Sequence, residues 1–167
     1  MTYTQTSLAT LRSKAGSLLQ KLYSEFGLVK TELDALAAVD AAGLKIAKGS
    51  LAAGDADDFA FTWQNPEASK IIVTRVLINI TTAGGTGSSV LDVGVVADAT
   101  STADTLIDGL NLNATGIFDN ITDKGANGKS RQVVDENGGT NDYITGKILV
   151  QDAAALTGKY YILYTVI

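Results

Sequence analysis

The sequence predicts a mainly β protein: an N-terminal α-helix with coiled-coil character, followed by an antiparallel β-sandwich of jelly-roll type, with a partly open barrel as the other architecture. Three observations carry this expectation. Alternating apolar and polar residues recur in short runs from residue 55 onward. The chain has 17 Gly and a single Pro, with Thr, Asn and Asp gathered between those runs, as tight turns require. The first forty residues instead space their apolar side chains at threes and fours. The expected organisation is a helical segment over 1–42, a linker over 43–54 and a β domain over 55–167.

Taken in order, Thr6 or Ser7 caps a helix expected to run to about Val39. Leu8, Leu11, Ala15, Leu18 and Leu22 form one seam, continued by Phe26, Val29, Leu33 and Leu36. Two consecutive four-residue steps, 18 to 22 to 26, make a stutter that locally unwinds a left-handed supercoil. Gly16 and Gly27 each cost about 1 kcal/mol relative to Ala, so the helix needs a partner. Three partners satisfy it: identical helices in a parallel bundle, the chain's own β domain, or a different protein. Ala41-Ala42-Gly43 ends the helix, and small residues through Gly54 read as linker.

In the β domain, Phe59, Phe61 and Trp63 alternate with Ala60, Thr62 and Gln64, and Asn65-Pro66 closes the run. This aromatic triplet reads as core; a carbohydrate platform is its other use. Over 70–96, Ile72, Thr74, Val76, Ile78 and Ile80 share one side. After the loop Thr82-Ala-Gly-Gly-Thr-Gly-Ser-Ser89, Leu91, Val93 and Val95 share another. The expectation is an antiparallel pair across a glycine-rich connection. Residues 105–112 and 116–118 read as strand fragments with a turn at Asp108-Gly109, 119–129 as a surface loop, and 132–135 as a short strand. Glu136-Asn-Gly-Gly-Thr-Asn141 is a turn. It leads to a strand over 143–151 with Ile144, Gly146, Ile148 and Val150 on one face. In the closing run 159–167 both faces are apolar, so that strand is central or sandwiched by neighbouring subunits, and the C-terminus is held in a sheet.

Composition narrows the chemistry. The chain has no Cys and no His, which removes disulfides, Ser-His-Asp and Cys-His machinery, the usual zinc sites and an imidazole switch. Carboxylate pairs of the glycosidase kind survive that exclusion, but the acids fall mostly in Gly/Asn/Thr turns, so no enzyme is expected. Asp55, Asp57 and Asp58, and Asp119 with Asp123, are the clusters to consider for calcium; neither follows the EF-hand order, and solvated turns are the simpler reading. No cofactor is expected. The formal charge is −5, with residues 1–50 at +2 and 51–167 at −7, which argues against a nucleic-acid partner. The opening residues lack the pattern of a signal peptide and no apolar run suits a membrane span, so neither is expected.

The segments Leu91-Asp-Val-Gly-Val95, Thr105-Leu-Ile-Asp-Gly-Leu110, Gly116-Ile-Phe-Asp-Asn120, Asp142-Tyr-Ile-Thr145 and Gly158-Lys-Tyr-Tyr161 resemble a turn-and-strand pattern of small virion proteins of tailed bacteriophages. These are the head-decoration and head-fibre proteins of the capsid exterior. The resemblance covers about residues 70–167. It implies a homotrimeric structural protein without enzymatic activity, bound to the major capsid protein on the outside of the virion. Leu8, Leu11, Leu18, Leu22, Phe26, Val29, Leu33 and Leu36 would then serve oligomerisation or capsid anchoring. The chain departs from the long-fibre pattern in having no extended repeat, which limits any fibre to one helix and one knob. A second reading, from another class, is a receptor- or glycan-binding module that meets host-surface glycan through Tyr143, Tyr160, Tyr161, Tyr164 and the 119–129 loop.

Overall fold

A computed structural model describes residues 13, 14, 17, 18, 21, 24, 43–85 and 87–167. The chain divides into two units, Met1–Ala42 and Gly43–Ile167. In the first, Ser13, Lys14, Ser17, Leu18, Lys21 and Ser24 are helical and exposed. Leu18, one of the expected seam residues, is 68% exposed. Leu8, Leu11, Leu22, Phe26, Val29, Leu33 and Leu36 lie outside the described residues, as does the expected end of the helix near Val39.

Among the described residues, the second unit has nine strands in two antiparallel sheets. They are β1 (Lys45–Leu51), β2 (Phe59–Gln64), β3 (Ile71–Thr82), β4 (Val90–Val96), β5 (Ile107–Asn111), β6 (Gly116–Asp119), β7 (Gln132–Val134), β8 (Tyr143–Leu149) and β9 (Thr157–Val166). One sheet runs β1-β9-β3-β6, with β7 also paired to β3; the other runs β2-β8-β4-β5. Ile71, Val73, Val76, Ile78, Ile80, Tyr160, Ile162 and Tyr164 of the first sheet and Phe61, Leu91, Val93, Ile144 and Ile148 of the second belong to one buried cluster.

Phe61 and Trp63 turn inward as expected of core, but Phe59 does not: a register shift between Phe59 and Phe61 sets it opposite Lys147, whose ammonium stands 5.9 Å from its ring centroid, and buries Ala60 instead. Phe61 stacks on Tyr160 with ring centroids 4.3 Å apart, and Trp63 meets Tyr164 at 5.5 Å. Both contacts join β2 of one sheet to β9 of the other. Tyr164 also donates its hydroxyl to Glu67 at 3.0 Å. The same carboxylate takes both its oxygens to Lys45 Nζ, at 2.9 and 3.0 Å, tying β1 to the turn after β2. Next to it, fully buried Asn65 donates its side-chain amide to the Ser69 and Asp135 carbonyls and accepts from the Glu67 N–H. One Asn therefore satisfies two backbone groups of its own turn, whose following Pro66 cannot donate, and ties that turn to Asp135 after β7.

β9 is central, between β1 and β3, as its two apolar faces predict. Its end is held where the Ile167 N–H donates to the Lys70 carbonyl at 2.9 Å. Other expectations change. β3 and β4 do not pair; they lie in different sheets. Alternation reports that a strand buries one face, but not which neighbour it bonds. The glycine-rich connection crosses from sheet to sheet, pinned where Gly84 donates to the Leu112 carbonyl and accepts from the Ala155 N–H. A Cβ on Gly84 would come within 2.8 Å of the Ala153 side chain.

The inward face of β3 is Ile71, Val73, Val76, Ile78 and Ile80, so Ile72 and Thr74 fall opposite to expectation. The cause is a register shift between Val73 and Arg75 against β9: Thr74 is an extra residue, and one extra residue exchanges the faces of a strand. The ladder is repaired on the other edge by buried Asn120. Its side-chain Oδ1 accepts from the Val76 N–H at 2.7 Å and its side-chain Nδ2 donates to the Lys129 carbonyl at 3.0 Å. Within the expected linker, 45–51 is a paired strand, so only its flanks are connection. Asp108-Gly109 lies inside β5 rather than at a turn, with Gly109 at φ +74°. Val150 leaves the β8 face at φ +73° and is 68% exposed.

Candidate interaction surface

The outer faces of the two sheets differ in kind. On the four-stranded sheet, residues 97–104 lie across the outside as a strap. Gly94 leaves room for it: a Cβ there would stand 2.5 Å from the Ala103 side chain and carbonyl oxygen. Fully buried Thr145 donates its hydroxyl to the Ser101 carbonyl at 2.9 Å. The strap holds its own shape through Asp98, whose carboxylate accepts from the backbone and hydroxyl of both Thr100 and Ser101. These four donors keep the Asp98 carboxyl below the usual range.

Among the described residues the five-stranded sheet carries no such strap. Register places Ile46 beside Leu163, Lys48 beside Tyr161 and Leu77 beside Tyr161. It likewise sets Ile72 beside Val133 and Asn79 beside Ile117. Directly opposed residues share a face, so Ile46, Ile72, Leu77, Ile117, Val133, Tyr161 and Leu163 stand on one outer surface. Ile117 is 70% exposed, Ile46 61% and Val133 52%. The charges on this face are exposed Lys48 and Lys159 and the Arg75–Asp119 pair. A large apolar surface with a few cations, on an otherwise acidic body, is the kind of patch that marks association. The sequence signalled it only through the two apolar faces of β9; the contributions of β1, β6 and β7 depend on register.

The Arg75–Asp119 pair braces that face. Burial alone would raise the Asp119 pKa, but the Arg75 guanidinium and the N–H groups of Thr122 and Ile121 outweigh it and bring it to about 2. Asp119 is therefore fully occupied as an acceptor. Asp123 is likewise engaged, by the Asp119 N–H and the Thr122 hydroxyl. In the other acidic cluster, Asp58 caps the Asp55 N–H and Asp57 pairs with Lys147 at 2.9 Å. Among the described residues no group of three or more acidic side chains is placed to hold a metal ion.

The four tyrosines singled out in the sequence do not form one surface. Tyr160 and Tyr164 are buried and point into the core. Tyr161 lies half-buried on the outer face just described, and Tyr143 is half-buried on β8 of the other sheet. Their alternation in 160–164 is what separates them, because neighbours along a strand face opposite ways.

No protein-family model, no curated protein and no solved structure matches this chain.

Proposed function

We propose that this chain is a structural virion protein of a tailed bacteriophage, an oligomeric decoration or head-fibre component on the capsid exterior, with the homotrimer as its unit. The observation that carries the reading is the contrast between the sheets: one outer face strapped by its own chain, the other left with exposed Ile46, Ile117 and Val133. A protein used in many copies against a shell has a use for one such face, since repeated weak contacts sum to firm attachment. The first unit, whose sequence spaces apolar residues at threes and fours over 8–36, supplies a second contact, for self-association or for the major capsid protein.

In this proposal the body is a jelly-roll sandwich. The strand order β1-β9-β3-β6 against β2-β8-β4-β5 and the ring stack from β2 to β9 support that architecture, which is frequent among capsid and lectin domains. The test combines light scattering with electron microscopy of capsids mixed with the protein. The intact chain should form an oligomer and coat the shells. Ile46→Asp combined with Val133→Asp should reduce coating while leaving the circular dichroism of the body unchanged. A monomer at every concentration that leaves capsids bare would overturn the reading.

A further inference from the structure

A second surface feature adjoins the association face and shares Val133 with it. An open groove of about 470 Å3 is lined by Val95, Thr105, Lys129, Arg131, Gln132, Val133 and Asn141. It runs beside β7, where that edge of one sheet meets Val95 of the other. Residues 43–167 hold 9 Lys/Arg against 14 Asp/Glu. Four of these cations, Lys45, Lys70, Arg75 and Lys147, pair with a carboxylate. Lys129 and Arg131 have no carboxylate partner among the described residues.

The neighbouring acids are already committed. Asp135 receives Lys70 on one oxygen and the Asn141 N–H on the other, and Asp104 receives the Asn127 amide. The neutral groups are also oriented. Thr105 accepts the Val95 N–H and donates its hydroxyl to the Gln132 side-chain oxygen Oε1 at 3.0 Å. With that oxygen engaged, Gln132 has its amide N–H groups to offer. The groove thus gathers an ammonium, a guanidinium and an amide donor, with no carboxylate in its lining among the described residues. Such a donor set favours an oxyanion, and a guanidinium favours a planar carboxylate or a phosphate by two parallel hydrogen bonds. The volume suits a ligand of one or two sugar rings.

We infer that the Lys129–Arg131–Gln132 groove binds a carboxylate- or phosphate-bearing saccharide through its anionic group. This goes beyond the structural role proposed above and does not depend on it, since the groove can be assayed on the isolated protein. The test is an amide-resolved NMR titration of the full chain with glucuronate, glucose 6-phosphate, inorganic phosphate and glucose. Both charged sugars should shift the amides of residues 105, 129–133 and 141, and glucose should not. Lys129→Ala combined with Arg131→Ala, and separately Gln132→Glu, should each weaken the charged sugars by about tenfold or more, because charge-assisted bonds are lost or opposed. No shift with either charged sugar, or inorganic phosphate binding as well as both of them, overturns the inference.

Discussion

Phe61 and Tyr160 each lie over a glycine of their own sheet. Phe61 is in register with Gly146 of β8, and Tyr160 with Gly49 of β1. A Cβ added at Gly146 would meet Phe61 Cε1 at 2.3 Å, and one at Gly49 would meet Tyr160 Cε1 at 2.5 Å. The glycines are there for space: they let the two rings lie flat across their strands and stack on each other between the sheets.

Gly146→Ala should therefore destabilise the body by about 1–3 kcal/mol through overpacking. Phe61→Ala, which opens a cavity beneath Tyr160, should cost about 3–5 kcal/mol. Urea unfolding of the two variants should order them this way; a Gly146→Ala protein as stable as the parent would show that the ring has room to move.

Asn120→Ala should leave the Val76 N–H and the Lys129 carbonyl without their present partners, at about 1–3 kcal/mol for a buried group so stranded. Hydrogen exchange at the Val76 amide should quicken more than at Ile78, one turn of the ladder away. Equal quickening at both would place the effect in global stability rather than at the bulge.

Asp119 should govern acid stability. Its folded pKa is lowered from 3.8 to about 2, so its contribution is present above the ordinary value and is lost as pH falls toward 2. Thermal melts should decline across that interval, and Asp119→Asn should flatten the decline there while lowering stability at neutral pH.

Tyr164 governs the opposite end. Burial first, and then its hydrogen bond to the charged Glu67, push its pKa up from 10.0 to about 12. The neutral phenol is favoured in the folded state, so the stabilisation is complete below pH 10 and is lost as pH climbs toward 12. Phenolate absorbance should show this late titration vanish in Tyr164→Phe, which should also cost about 1 kcal/mol for the missing hydrogen bond.

A fragment of residues 43–167 should fold, with dispersed amide resonances. A fragment of residues 55–167 should not, because it removes β1 and with it the strand beside Tyr160, Ile162 and Tyr164. Dispersed spectra from the shorter fragment would show that β9 tolerates an open edge.

Much of the body was legible because hydrophobic alternation reports burial directly. The inward aromatics 61 and 63, the face Ile144, Gly146 and Ile148, the short strand at 132 and the central place of β9 all follow from it. What escaped was set by partners far along the chain. β1 has Ala47 and Gly49 on its inner side because Tyr160 fills that space, so it lacks the pattern of a strand. The β3 bulge is invisible because Thr74 is an ordinary strand residue. The 3–4 pairing failed because a glycine-rich loop can close a hairpin or cross between sheets. The groove escaped for a related reason: Lys129 and Arg131 stand in a polar loop, and only folding brings Thr105 and Val95 beside them.

The strap over Gly94 has a geometric consequence for any assembly. Residues 97–104 occupy the outer surface beside Gly94 and Thr145, so in the assembly proposed above the body adheres through its other sheet, a geometry from which units can tile a support or close into a small ring.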